Sequence, residues 1–249
     1  MPKPVKKTRF RHAVLVVIGA LIAVGLAVIF LKTDWHERTI KVNGASRRYL
    51  WYAPEKASGK RPLLLAFHGF SGTADGMRKS SKLHELVDAN QFYLAYMDGN
   101  PTWHRPVPDR PGPDVEFFDA LCEELQRKYP IDSSRIYVTG MSMGGEFAIR
   151  LASIRSQRIA AVASQGMVTD GAVEAERPFP LLIIVGTEDD RVPPNFFPRV
   201  PNAFQERGHE VKVIRPDGVG HRWHVPLNGE LWSFLSNHSL EQRPPTHAR

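Results

Sequence analysis

Arg135-Ile-Tyr-Val-Thr-Gly-Met-Ser-Met-Gly-Gly-Glu-Phe-Ala-Ile-Arg-Leu-Ala152 is the stretch on which the reading of this chain turns. It opens as a β-branched apolar run, closes as a helical pattern, and carries G-x-S-x-G between the two. At the Gly and Ser frequencies of this chain the motif arises somewhere by chance with a probability of about 0.08, so its setting has to decide. A sharp strand-to-helix turn needs glycines on both sides of the serine, because side chains there collide with neighbouring backbone. Ser142 is therefore read as a nucleophile. Its place at a helix N-terminus makes the Met143 N–H a donor to an oxyanion.

Upstream, the apolar run Leu63 to Phe67 ends in His68-Gly69-Phe70-Ser71-Gly72. A second oxyanion donor is expected from such a loop. The Phe70 N–H is assigned to it, with Ser71 as the near alternative. His68 is expected to hold the loop by hydrogen bonding rather than to act as a base. Downstream, a serine hydroxyl needs a base and the base an orienting carboxylate, in the chain order serine, acid, histidine. The run Leu181 to Val185 ends in Gly186-Thr187-Glu188-Asp189-Asp190, where spacing alone leaves three acids in competition. After Val211 to Ile214 comes Gly218-Val219-Gly220-His221-Arg222-Trp223-His224. His221 is favoured over His224 because the glycines immediately precede it. His104 and His209 read as surface or loop histidines.

Short, unbroken apolar runs at Leu63–Phe67, Phe92–Met97, Ile136–Thr139, Ile159–Ala163, Leu181–Val185 and Val211–Ile214 suit strands buried on both faces. Helical patterns lie between and after them, at Ser80–Ala89, Asp114–Tyr129, Met143–Ser153, Asn195–Arg207 and Leu227–Asn237. The alternation predicts an α/β fold, a mostly parallel central sheet with helices on both faces. An opening hairpin is expected from Arg38–Asn43 and Ser46–Tyr52, with its turn at Gly44-Ala45. Asn100–Pro113, which holds five prolines, and Asp170–Pro180 read as long loops.

The N-terminus differs from the rest. Lys3, Lys6, Lys7, Arg9 and Arg11 precede an uncharged apolar run from Ala13 to Leu31, 19 residues long. As a helix this run measures ~28 Å, close to the ~30 Å hydrocarbon thickness of a bilayer. The basic residues before it place residues 1–12 in the cytoplasm and the remainder outside. The expected organisation is a basic cytoplasmic terminus at 1–12, a transmembrane signal-anchor at 13–31, a linker at 32–37, a catalytic domain at 38–238 and a polar tail at 239–249. A cleaved signal peptide, which would make the protein secreted, is the competing reading. Gly19, Ala23 and Ala27 form a small-residue stripe that permits a weak dimer through the anchor.

Five of the 33 basic residues and none of the 26 acidic ones lie in residues 1–31, which leaves the rest at a net charge of about +2. Nucleic-acid binding is not indicated. The single cysteine, Cys122, excludes an intrachain disulfide and sits at helical spacing among Phe117, Phe118, Leu121 and Leu125, so a packing role is expected. No metal-ligand spacing such as H-E-x-x-H is present, and no cofactor or metal is expected.

Several motifs taken together give the chain a family resemblance. They are Pro62-Leu-Leu-Leu-Ala-Phe-His-Gly69, Pro113-Asp114-Val115-Glu116-Phe117, Tyr129 through Gly145, Gly186-Thr187-x-Asp189-x-x-Val192-Pro193, and Gly220-His221-x-Trp223. With these the chain, from about Arg47 to Trp223, resembles the polyhydroxybutyrate depolymerase and feruloyl esterase branch of the α/β-hydrolases. The resemblance implies the α/β-hydrolase fold and places the acid at Asp189, giving Ser142, Asp189 and His221 as the triad. It implies that Trp223 lines the cleft, and Trp103, in the long proline-rich loop, is assigned to substrate binding beside it. The chain departs from the branch in having His224-Val225-Pro226 after Trp223 and no paired cysteines. The implied activity is a serine carboxylesterase on short-chain, feruloyl-type or hydroxybutyrate-oligomer esters. A peptidase or amidase on the same triad is the first alternative, and a catalytically silent membrane-tethered interaction module the second.

Overall fold

The computed structural model describes residues 35–99, 101–106, 111–167, 169 and 174–241. The expected membrane span at 13–31, its basic flank and most of the tail lie outside these residues. Among the described residues no helix is long and apolar enough to cross a membrane.

Eight strands form one sheet in the order β1-β2-β4-β3-β5-β6-β7-β8. β1 (Trp35–Val42) and β2 (Ala45–Tyr52) are neighbours joined at Asn43 and Gly44, both at positive φ (49° and 82°). The expected turn at Gly44-Ala45 is thus one residue too late: Asn and Gly are the pair that tolerates left-handed backbone at both positions. The first strand also starts inside the expected linker, and Glu37 on it pairs with Arg48 of β2 at 2.9 Å.

β2 runs antiparallel to β4 (Tyr93–Met97). From β4 onward the sheet is parallel: β4, β3 (Arg61–Phe67), β5 (Ile131–Met141), β6 (Ala161–Gln165), β7 (Leu181–Ile184) and β8 (Val211–Ile214). The unbroken apolar runs are explained by burial, since every residue of β4, β6 and β7 is buried. β8, at the edge, is only half covered. The chain leaves β3 for β4 on one side and returns to β5 on the other. This reversal opens a crevice outside the carboxyl ends of β3 and β5, where ligands of open α/β sheets bind.

Helices cover both faces. One face packs Leu63, Leu65, Val138 and Ile183 against α3 (Pro113–Lys128), α4 (Met143–Ile154) and α5 (Arg199–Gln205). On the other face Tyr137 meets Trp232 of α6 (Asn228–Ser236) edge to face at 6.0 Å, and Tyr96 bonds Ser81 of α1 (Ala74–Ser81). Cys122 lies wholly buried on α3 among the expected neighbours, and burial pushes its thiol up to about 12.

Two expectations about local structure are corrected. The helix expected at Ser80–Ala89 is broken at Lys82, whose φ is 54°, into α1, a 3₁₀ turn at Leu83–Leu86 and α2 (Val87–Asn90). α1 begins earlier because the Thr73 hydroxyl accepts the Gly76 N–H and caps it. At the expected domain boundary Tyr137 Oη donates to His238 O, and two residues beyond it Leu240 N–H donates to Ser134 O.

Candidate active site

Ser142 stands between β5 and α4 at φ 55° and ψ −119°, a backbone region that costs a non-glycine residue about 1–3 kcal/mol. Packing enforces it. A Cβ on Gly140 would run into the backbone of Gly144, and one on Gly144 into the carbonyls of Phe67 and His68. The helix therefore presses directly on the end of β3. The Ser142 N–H donates to Gln165 O at 2.9 Å, and Glu146 N–H to Ser142 O at 3.0 Å. The serine is thus tied to β6 on one side and to the first turn of α4 on the other.

His221 Nε2 lies 2.9 Å from Ser142 Oγ, and its Nδ1 lies 2.9 and 3.0 Å from the two carboxylate oxygens of Asp189. The Asp189 side chain is 1% exposed, whereas Glu188 and Asp190 face solvent, so geometry separates the three acids. Asp189 also accepts the Arg191 N–H at 3.1 Å. A buried carboxylate needs such donors to offset the loss of water. The hydrogen-bond chain orients the imidazole with Nδ1–H toward the acid and Nε2 free to take a proton from the serine.

His68 is 2% exposed and uses both ring nitrogens: Nδ1 donates to Gly69 O at 2.7 Å, and Nε2 accepts the Gly99 N–H at 2.9 Å. It holds the loop. The Gly72 N–H donates to Gly69 O, closing a turn with Phe70 and Ser71 at its corner and Ser71 at φ 52°. This turn abuts the nucleophile, because a Cβ on Gly69 would lie 3.6 Å from Ser142 Cβ. Phe70 follows Gly69 in the loop after β3, and Met143 opens α4 directly after Ser142.

The two tryptophans assigned to the cleft are both largely buried. Trp103 is 5% exposed, stacked on Phe147 at 4.8 Å and edge-on to Phe67, with its indole N–H donating to His68 O at 2.8 Å. It pins the 101–106 segment to the loop after β3 and lines, with its exposed rim, a cavity of about 170 Å³ beside Met143, Glu146 and Arg150. Trp223 is 6% exposed and donates to Asn228 Oδ1 at 2.8 Å. In both, an amphipathic ring in a loop has found a buried partner, so neither offers a broad open face to a ligand.

The His224 backbone N–H donates to Gln165 Oε1 at 2.9 Å. Gln165 thus links the nucleophile turn, through its carbonyl, to the histidine loop, through its side chain. Sequence reasoning missed it, since one polar residue ending an apolar strand carries no signal of its own. His104 is exposed as expected and bonds Asp114 at 2.8 Å. His209 lies in a loop, as expected, but is buried between Phe179 and Phe204 rather than at the surface. Among the described residues no group of three or more metal-binding side chains comes together.

The sequence pattern of the dienelactone hydrolase family matches residues 109–234, half of the chain, including Ser142, Asp189 and His221. This chain belongs to the dienelactone hydrolase family. Among curated relatives it is 32% identical over 152 residues to a bifunctional acetylxylan esterase/xylanase of Neocallimastix patriciarum, covering 59% of this chain and 22% of that one. It is 26% identical over 204 residues to feruloyl esterase D of Neurospora crassa, covering 78% and 66%. The chain thus spans between about a fifth and two thirds of the length of these relatives. Among solved structures it resembles a thermostable esterase (TM-score 0.70, 21% identity, 83% of this chain and 63% of that one). It also resembles the acylaminoacyl peptidase of Pyrococcus horikoshii (TM-score 0.66, 17% identity, 88% and 44%). These two share the α/β-hydrolase fold with this chain, and a fold hosts many chemistries.

Proposed function

We propose that this protein is a serine hydrolase of carboxylic esters that works through an acyl-enzyme. The observation that carries the reading is the unbroken chain Ser142 Oγ, His221 Nε2, His221 Nδ1, Asp189, with each link at about 2.9 Å. Curated relatives named as feruloyl and acetylxylan esterases support it.

In the first half-reaction Ser142 Oγ attacks the ester carbonyl carbon while His221 Nε2 takes the hydroxyl proton. The carbonyl oxygen becomes an oxyanion held by the Met143 and Phe70 N–H groups. As the intermediate collapses, His221 returns the proton to the departing alcohol and the acyl group stays on Ser142. Water then repeats the sequence, and a carboxylic acid leaves. Asp189 fixes the imidazole orientation and stabilises its cation without being protonated. Short-chain, feruloyl-type and hydroxybutyrate-oligomer esters are the substrate classes assigned here.

Ser142→Ala is expected to lower kcat on p-nitrophenyl acetate by at least 10³-fold while leaving the thermal unfolding midpoint within a few degrees. Retention of activity in a folded variant overturns the assignment. The matched p-nitroanilide, run beside the ester on wild-type protein, tests the amide alternative: faster release of amine than of alcohol replaces the ester reading by the peptidase one.

Residues 13–31 are assigned as a single-pass anchor that holds the catalytic domain on the extracytoplasmic side. The support is the 19-residue apolar run behind five basic residues. Full-length protein is expected to sediment with membranes and to be released by detergent but not by high salt. A mature chain that begins near residue 28 instead makes the segment a cleaved signal peptide.

A further inference from the structure

Phe70 is 68% exposed, one of only two large hydrophobic side chains so placed among the described residues. The other, Val213, lies on the edge strand β8. An isolated exposed apolar residue is ordinary on a protein surface. Phe70 is unusual in its address. It occupies the corner of the Gly69–Gly72 turn, and the neighbouring Gly69 is packed against Ser142 and the Met141 carbonyl.

The turn under it is held from several directions. His68 is bonded through both ring nitrogens, Trp103 donates to His68 O, and Gly72 closes the turn onto Gly69. Such anchoring is more than a surface loop needs. It fixes the backbone from which the exposed Phe70 side chain projects, one residue from the Gly69 that packs against Ser142, so little backbone ordering remains to be lost when a ligand covers the ring.

We propose that the Phe70 ring is a preorganised apolar platform at the mouth of the site, on which an aromatic ring of the ester substrate stacks. This rests on the reading of Ser142 as an ester hydrolase nucleophile and adds to it a specificity determinant. The backbone N–H and the side chain of one residue then do separate work: the N–H faces the developing oxyanion, and the ring faces the group attached to the reacting carbonyl. The aromatic group sits on either the acyl or the alcohol side of the ester, and the substrates below tell the two apart.

The test is the ratio of kcat/KM between substrates measured on one sample, which cancels differences in folded fraction or oxyanion geometry. Methyl cinnamate against methyl butyrate reports the acyl side, and phenyl acetate against ethyl acetate the alcohol side. Replacing Phe70 by Ala or Leu is expected to lower one aromatic-to-aliphatic ratio about fivefold to tenfold, as expected for loss of one aromatic pair. Phe70→Tyr, which keeps the ring, is expected to hold that ratio within twofold. Both ratios unchanged in Phe70→Ala and Phe70→Leu overturn the platform. Wild-type protein inactive on all four esters overturns the esterase reading itself, a separate outcome.

Discussion

At the ends of β3 and β5 the site is assembled by steric closure around three glycines, whereas at the ends of β7 and β8 one close-packed glycine, Gly186, whose added Cβ would meet the Val219 backbone, is accompanied by hydrogen bonds between loops. In the first region Gly140, Gly144 and Gly145 each lie where a Cβ meets backbone or the Ser164 hydroxyl, and the strands around them are buried. In the second region the β7–β8 ladder continues past the strands. Val185 N–H donates to Ile214 O, Thr187 N–H to Pro216 O and Glu188 N–H to Val219 O, at 3.0–3.1 Å. The Thr187 hydroxyl bonds Asp217 and accepts the Gly218 N–H at 3.0 Å. Asp189 and His221 are therefore registered to each other first and to Ser142 second. Ser142, at its positive φ, is fixed by close packing at the centre of the sheet, and the Asp189–His221 pair is carried on loops tied by hydrogen bonds as well as by the packing at Gly186.

The contrast breaks most visibly at the glycines. Gly144→Ala forces a methyl group into the Phe67 and His68 carbonyls, where no flexible side chain can yield. The expected cost is about 3 kcal/mol or more, with kcat reduced by more than 10²-fold because the turn that aims Ser142 must move. Gly218→Ala, in the histidine loop, meets nothing within 4 Å and pays only for φ +66°, about 1–2 kcal/mol. Its kcat is expected to stay within about threefold of wild type. Urea denaturation and p-nitrophenyl acetate turnover of both variants make the comparison. Equal losses at the two positions remove the distinction between a packed centre and a bonded edge.

The same division decides what the sequence showed. Central strands were readable because burial on both faces leaves unbroken apolar runs, as in Leu63–Phe67 and Leu181–Val185. Ser142 and His221 were readable because close packing and turning require glycines around them, and glycine is visible in a sequence. Asp189 was not separable from Glu188 and Asp190 by spacing, since what distinguishes it is burial of one side chain out of three. The burial of Trp103 and Trp223 was not legible for a related reason: a loop tryptophan looks exposed until its N–H acceptor, here His68 O or Asn228 Oδ1, is brought up by the fold. α1 escaped notice because Ala-Asp-Gly-Met-Arg-Lys-Ser-Ser has weak helical propensity, and only the Thr73 cap and burial against the sheet decide for it.

His209 supplies the smallest expected effect and probes the edge region at its other end. It precedes β8, and its Nδ1 stands 3.0 Å from the carbonyl of Phe179, just before β7; donating to that oxygen, it clamps the starts of the two strands. Burial holds its pKa below the usual histidine range; the bond to Phe179 O works against that shift, while the positive charges of Arg177 and Arg207 add to it. Unfolded, the imidazole titrates near ~6.5, so below that pH the unfolded chain binds more protons than the folded one. Folded-state stability is then complete above about 6.5 and falls as pH is lowered through that value, by at most ~1.4 kcal/mol per pH unit from this one group. In His209→Asn the side-chain amide can still donate to Phe179 O but does not titrate. Its stability, measured by urea denaturation between pH 7.5 and 5.5, is expected to decline less steeply than that of wild type. Parallel declines place the acid sensitivity elsewhere and leave His209 as a clamp that works equally well across this range.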